Sequence, residues 1–399
     1  MAALRLLHLR SVAELRGRAA AWDDLWQRSD LALPTLRAEL IAQWVEAFAP
    51  RQRLSLLAVE EGNELLAALP LVGRPVGRVP LLRAGGLTAN PWSPNGELLL
   101  DPQCDAAAVA RLLADALARA PWPLVWLDEV QYEAPRWQAM FAALAERGLA
   151  VHCRPGYRVG LVDVGTSWSA FEASWSGNHR RHLRKVLKRM DRDGPSQMHD
   201  LSALPAEQLP AAVHRAFEIE DRSWKGAAGT SVLKTPGMLE FFTRQALQLA
   251  VWGQLDLAVL EHAGRDIAFS FGYRAKSTAF YHKVGYDEAT AHYSPGQAML
   301  NHRLRAFHDA QEPLLMDFVG PLQDWTSKWA TRTYGVGRAV IAPPRLSSRL
   351  LMYGYTRLWP CLAALRDAWR ERRKAAPAVQ PPPTPADPPA EDEVLSPTA

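Results

Sequence analysis

Three short stretches in the second half of this sequence carry side chains that could do chemistry. The first is Thr278-Ala279-Phe280-Tyr281-His282-Lys283-Val284-Gly285-Tyr286, whose alternation predicts a strand. With period two, Phe280, His282 and Val284 share one face while Tyr281 and Lys283 share the other. A lysine and a histidine in an otherwise apolar strand are costly if buried unpaired, so one of them is expected to face a cleft. Lys283 could hold an acceptor carboxylate or phosphate, and His282, with a reference pKa of ~6.5, could move a proton. An edge strand with solvated polar residues would give the same pattern.

The second stretch, Ser294-Pro295-Gly296-Gln297, reads as a helix start: serine at the N-cap, proline at N1, and glutamine placed to complete a capping box. The first turn of a helix offers free N–H groups and a partial positive charge, which suits a pyrophosphate, although an ordinary capped helix needs the same residues. The third is Asp317, which closes a short apolar run and is followed by Phe318 and Gly320. A carboxylate at a strand end could take the proton that an amine must lose before it attacks a thioester. Capping of a turn is the plainer alternative. Lys328-Trp329 follow and would supply an anion contact and an apolar wall. Trp224 and Lys225 end a mixed-charge segment capped by Gly226, and the loop after it is suited to covering an acceptor. Finally, residues 178–192 hold Arg180, Arg181, Arg184, Lys185, Lys188, Arg189 and Arg192, with Leu183, Val186, Leu187 and Met190 at helical spacing. One face of such a helix packs; the basic face is solvated or steers an anionic donor or glycan.

The elements that must position these groups repeat. Residues 54–71 (LSLLAVEEGNELLAALPL) match residues 255–273 (LDLAVLEHAGRDIAFSFGY), both a β run, a charged turn with a glycine, and a second β run. The offset, 255 − 54, is 201. A second match links the run Pro123–Asp128 with Pro313–Phe318 at an offset of 314 − 124 = 190, and each run follows a helical segment, 106–120 or 296–310. Two matches in one order at similar offsets point to duplication of an α/β unit.

Composition bounds the rest. The 399 residues allow two domains, and 48% hydrophobic with 22% charged residues is globular composition. No apolar run is long enough to span a membrane, the N-terminus lacks a signal-peptide pattern, and a cytoplasmic protein is expected. Cys104, Cys153 and Cys361 have no metal-ligand spacing, so neither zinc nor a disulfide framework is expected. The net charge of +4 is compatible with anionic partners without identifying one. Residues 375–399 are Pro-rich, then acidic, and read as disordered.

The stretches Asn178-His179-Arg180-Arg181-His182-Leu183-Arg184-Lys185, Ser223-Trp224-Lys225-Gly226, Tyr286-Asp287-Glu288 leading to Tyr293-Ser294-Pro295-Gly296, and Asp317-Phe318-Val319-Gly320 followed by Lys328-Trp329 cover most of 170–340. In order and spacing they resemble the GNAT (GCN5-related N-acetyltransferase) fold. The tandem form resembles the Fem-like aminoacyl transferases, and more closely a CelD-like bacterial branch encoded beside cellulose and exopolysaccharide biosynthesis genes. The first copy matches through Trp44, Phe48 and the hairpin ending Leu69-Pro70-Leu71. The family's Arg/Gln-x-x-Gly-x-Gly/Ala phosphate signature is missing.

The resemblance implies an α/β protein with mixed sheets. It would comprise a GNAT-like copy at 1–160, an acyltransferase copy at 161–344, a basic amphipathic helical segment at 345–374 and the tail at 375–399. It implies acetyl-CoA or another acyl-CoA as donor, held by Ser294, Gly296 and Gln297, and no metal. Asp317, His282 and Lys283 would serve catalysis, with Trp224, Lys225, Tyr281, Lys328 and Arg181 on the substrates. Direct attack by an amine or hydroxyl of a small-molecule or glycan acceptor related to the cell envelope or exopolysaccharide is expected. Backbone N–H groups near Lys283 would stabilise the oxyanion. The 345–374 segment would dock on the second copy or meet an anionic inner-membrane surface or a polysaccharide synthase. The alternatives are aminoacyl transfer from charged tRNA and a catalytically silent module that binds glycan or a synthase.

Overall fold

Alternating apolar runs flanked by tight turns form two hairpins, Leu54–Glu61 with Glu64–Val76 and Leu255–His262 with Arg265–Ala275. Their two-residue turns use positive φ at Gly62 in one and at Ala263 and Gly264 in the other, which matches the right-handed twist of the strands. Both Leu54–Glu61 and Leu255–His262 are buried almost throughout rather than at every second residue, the pattern of strands covered on both faces. The structure is a computed structural model, and it describes residues 3–76, 79–165 and 167–358.

These strands belong to a single mixed sheet of thirteen strands. From one edge its order is Leu4–Leu9, Leu54–Glu61, Glu64–Val76, Val79–Leu87, Val125–Val130, Arg332–Ala342, Ala150–Asp163, Leu315–Pro321, Thr278–Tyr286, Arg265–Ala275, Leu255–His262 and Ser196–Asp200, with Leu99–Leu100 beside the third. Read inward from either edge, each copy supplies five strands in the same sequence. The two middle strands are exchanged. Ala150–Asp163, which closes the first copy, pairs with Leu315–Pro321 of the second, while Arg332–Ala342, which closes the second, pairs with Val125–Val130 of the first. They pair with each other antiparallel from Arg332 opposite Leu161 to Ala342 opposite Ala150. The residue 160/161 boundary of the sequence reading therefore falls inside a shared strand, and Met1–Met352 is one compact unit.

Helices cover both faces. Ala106–Ala118 begins at Asp105, whose carboxylate accepts from the amides of Ala107 and Ala108, and Pro295–Ala310 holds the same place in the second copy. The basic helix Gly177–Asp193 is capped by Ser176 and ends at Gly194; it buries His179, Leu183, Val186 and Met190. On the opposite face one apolar core runs through both copies. It joins Trp22, Leu40 and Leu56 to Phe217, Phe242 and Phe271, with Phe48 and Phe241 in edge contact at 4.8 Å. Lys276 adds a polar clamp, its Nζ donating to the carbonyls of Trp26, Ser29 and Leu31. The expected helix at 345–374 is present as Leu346–Tyr353. Within the second unit, which starts at Tyr353, Gly354–Leu358 forms a π-helical turn. The remainder of that segment, Cys361 and the Pro-rich stretch lie outside the described residues.

Candidate functional site

The site is made by two parallel strands that part. Thr278–Tyr286 pairs with Leu315–Pro321 at Thr278–Leu315, Ala279–Met316 and Phe280–Asp317, and no further. Beyond Phe280 the first strand keeps its neighbour Arg265–Ala275 on one side only, so its other edge faces an opening. Asp317 sits where the opening begins. In the first copy the corresponding strands meet at Gly85 and Val125 alone, and the indole of Trp122 covers Gly85 there.

On the face of Tyr281 the opening leads into a cavity of about 510 Å³. It brings together six of the residues expected from sequence: Trp224, Lys225, Tyr281, Ser294, Gly296 and Gln297. Val284, Tyr286, Gln323 and Trp325 complete the wall. Trp224 is 63% exposed at its lip. Lys225 is held from behind, its Nζ donating to Glu220 Oε1 at 2.7 Å, and the fully buried Glu220 also accepts from the Val232 amide. The helix start is not capped as the sequence implied. Ser294 adopts a left-handed conformation (φ 46°, ψ 56°) and its side chain makes no cap. Gln297 is engaged instead by Trp329, whose Nε1 donates to its Oε1 at 2.9 Å. No capping box forms: the left-handed Ser294 makes no side-chain cap, and its carbonyl instead accepts from the Gln297 and Ala298 amides at the start of this sixteen-residue helix.

His282 and Lys283 do not lie on opposite faces. The hairpin register slips between Phe271 and Tyr273, so that Tyr273 faces Phe280 while Phe271 faces Lys283. This bulge lets the Phe280 carbonyl crowd Gly272, where a side chain has no room. Strict alternation is broken by the extra residue, and Lys283 returns to the face of Phe280. His282 stacks on Tyr273, its Nε2 at 2.9 Å from the Trp92 carbonyl, and burial with the nearby Lys283 charge pushes its pKa down to about 3. It is therefore a neutral donor to that carbonyl rather than a proton carrier. Lys283 Nζ lies 4.6 Å from the Trp92 ring centroid, with its pKa pushed down to about 8 by burial and by Lys225. Both residues sit outside the Tyr281 cavity. Lys328 and Arg181 are exposed and line neither cavity of the fork.

Asp317 faces the other side of the sheet, into a second cavity of about 410 Å³. Its Oδ1 accepts from the Val319 amide at 2.6 Å and its Oδ2 from the Tyr334 hydroxyl at 3.0 Å. Burial raises its pKa to about 6 in spite of these bonds. The chain turns sharply after it: four steps from Asp317 to Pro321 oppose two from Leu161 to Val159, and Val319 is held at φ 60°. A β-branched residue in that region is strained, and Glu129 of the first copy has the same φ at the same 190-residue offset. Residues of the first copy and of the exchanged strands wall this cavity. They include Glu97, Arg136, Gln131 and Tyr157, with Arg136 Nη2 donating to Gln131 at 3.0 Å. Sequence reading missed Tyr334 and Arg136, and it named Glu220 only as part of the segment that ends at Gly226, without a role. Tyr334 reaches the site through strand exchange and Arg136 from the first copy's helix Pro135–Glu146, and neither long-range approach leaves a local signal.

The arrangement is thus a sheet that parts at one fork, with an aromatic-lined cavity on one face and a buried carboxyl of raised pKa on the other. Residues 177–326 match the model of an acetyltransferase (GNAT) domain. Among solved structures, FemX is 12% identical, with 88% of this chain and 99% of that one covered and a TM-score of 0.53. The C-terminal DUF2156 domain of a proposed lysylphosphatidylglycerol synthetase from Agrobacterium fabrum is 15% identical, with 86% and 95% covered and a TM-score of 0.51. These likenesses carry the fold. No curated protein matches the sequence.

Proposed function

We propose that this GNAT-fold acyltransferase moves an acyl group from acyl-CoA to an amine or hydroxyl of a cell-envelope or exopolysaccharide acceptor. The observation that supports this reading is Asp317 at the fork between two cavities, one on each face. The donor enters from the Tyr281 side, with its chain against Trp224, Trp325 and Val284 and its phosphates toward the helix start at Ser294 and Gly296. The acceptor enters from the Asp317 side. Asp317 takes a proton from the acceptor amine, the nitrogen bonds to the thioester carbon, the C–S bond breaks, and the thiolate leaves to be protonated. The unpaired strand edge beyond Phe280 offers N–H groups to the developing oxyanion.

A second reading is favoured by one feature, the basic helix Gly177–Asp193, packed beside the helix that opens the donor cavity. Arg189 of this helix donates to the His292 carbonyl at 2.7 Å, and Arg181, Arg184, Lys185 and Lys188 are exposed. An aminoacyl group carried on RNA would meet this surface. Thermal stabilisation by acetyl-CoA, free CoA and uncharged tRNA separates the two readings. Stabilisation grows as RT ln(1 + [L]/Kd), so ~100-fold saturation gives about 2.7 kcal/mol. A shift with CoA species alone is expected; a shift with tRNA alone replaces acyl-CoA as the donor.

A further inference from the structure

The Asp317 cavity does not end in the second copy. It runs into another, of about 500 Å³, along the same face of the sheet, and the two share Ala89, Asp128, Glu129, Tyr157 and Val336. Together they form one groove over the exchanged central strands, with opposite charge at its ends. The Asp317 end is acidic: Asp30, Glu97, Glu129 and Asp317 line it, with Asp128 at the junction, against Arg136 and Arg332. At the far end stand Arg74, Arg154 and Arg338.

That far end is a constructed cluster. Asp128 is gripped from two sides, by Arg74 Nη2 at 2.6 Å and by Arg338 Nε at 2.5 Å. The Arg74 stem crosses Gly86 so closely that a side chain there would have to displace it, and the Arg338 guanidinium lies 4.6 Å from the Trp126 ring centroid. Arg154 is directly opposite Arg338 in the central strand pair, and among the described residues its guanidinium has no hydrogen-bond or ion-pair partner. Like charges facing each other across a strand pair are destabilising, and two guanidiniums already share the Asp128 carboxylate. Among the described residues no anion answers Arg154.

We infer that the groove takes a bipolar acceptor: a nucleophilic amine at Asp317 and an anionic group, phosphate or carboxylate, held by Arg154 with Arg74 and Arg338. Tyr334, which touches Asp317, and Arg338 are four residues apart on one strand, which sets the two groups about 13 Å apart at ~3.3 Å per residue. The first copy thereby has a task of its own, as the wall that selects the acceptor. This inference rests on the reading of the Asp317 cavity as the acceptor side.

The test compares aminooctyl phosphate with its uncharged parent, aminooctanol, on the full chain. Calorimetry should show the phosphate binding about tenfold or more tighter, since each charge-assisted bond is among the stronger ones available. The preference should collapse toward one in Arg154→Ala, return in part in Arg154→Lys, and shrink with added salt. Arg154 is exposed, so both variants should melt with wild type. Equal binding of the two probes, or a preference untouched by Arg154→Ala, overturns the inference. Release of thiol from acetyl-CoA, followed in parallel with both probes, keeps the two readings apart. A phosphate preference in binding with no acyl transfer to either probe sinks the acyl-CoA reading and leaves the anion site standing. Transfer to both probes at equal kcat/KM sinks the anion site alone.

Discussion

Replacing Asp317 with asparagine should stabilise the protein at neutral pH while slowing turnover. Burial holds the Asp317 pKa at about 6, against 3.8 for an unhindered aspartate. Between those values the folded chain keeps a proton that the unfolded chain has lost, so stability falls as pH rises through this window and the loss is complete above the folded value. At ~1.36 kcal/mol per unit, the shift of about 2.2 units, from 3.8 to about 6, costs roughly 3 kcal/mol at pH 7.5. Asparagine is not charged, and its amide can still accept from Val319 and donate to the Tyr334 oxygen. The unit Met1–Met352 has an unfolding entropy of roughly 0.7 kcal/mol/K, so Asp317→Asn should raise Tm by about 4 °C at pH 7.5. The gain should fall to roughly half near pH 5 and disappear near pH 4. In parallel, the acidic limb of the wild-type kcat/KM profile, near pH 6, should be absent from the variant, whose turnover should drop by ~10²-fold or more. Scanning calorimetry across pH with paired rate profiles reads both effects. A variant no more stable than wild type at pH 7.5, or a difference that ignores pH, would show that no buried charge is being carried there.

Three other outcomes are expected. Trp224→Ala removes an exposed lip of the Tyr281 cavity, the proposed donor side, so acyl-CoA should bind about tenfold more weakly while stability stays within ~0.5 kcal/mol of wild type; titration calorimetry and melting check this. Glu220→Gln leaves the Lys225 ammonium and the Val232 amide without their carboxylate and should cost about 3 kcal/mol in urea unfolding, because a partly buried charge loses its partner. Gly272→Ala drives a methyl group into the Phe280 carbonyl and should either abolish soluble protein or lower stability by more than ~3 kcal/mol, as judged by expression and unfolding; unchanged stability would mean that the bulge is not tight.

Much of the molecule was legible in the chain because its signals are local. Hairpin turns, helix periodicity and the twofold recurrence of hairpin and terminal strand exposed the duplicated unit. The order of Trp224-Lys225, Ser294-Pro295-Gly296 and Asp317 located one cavity and its opposite carboxyl. What failed were inferences that treated local rules as sufficient. Period two misplaced Lys283 because a single bulged residue, permitted by Gly272, reverses every face after it. The capping box at Ser294 did not form because backbone conformation, rather than residue type, decides where a hydroxyl points. Tertiary structure alone decided the rest. The exchange of Ala150–Asp163 and Arg332–Ala342 puts Tyr334 on Asp317 and Arg154 opposite Arg338. Those partners are set by long-range pairing between strands well over a hundred residues apart, and no short-range pattern encodes which strand a strand will choose.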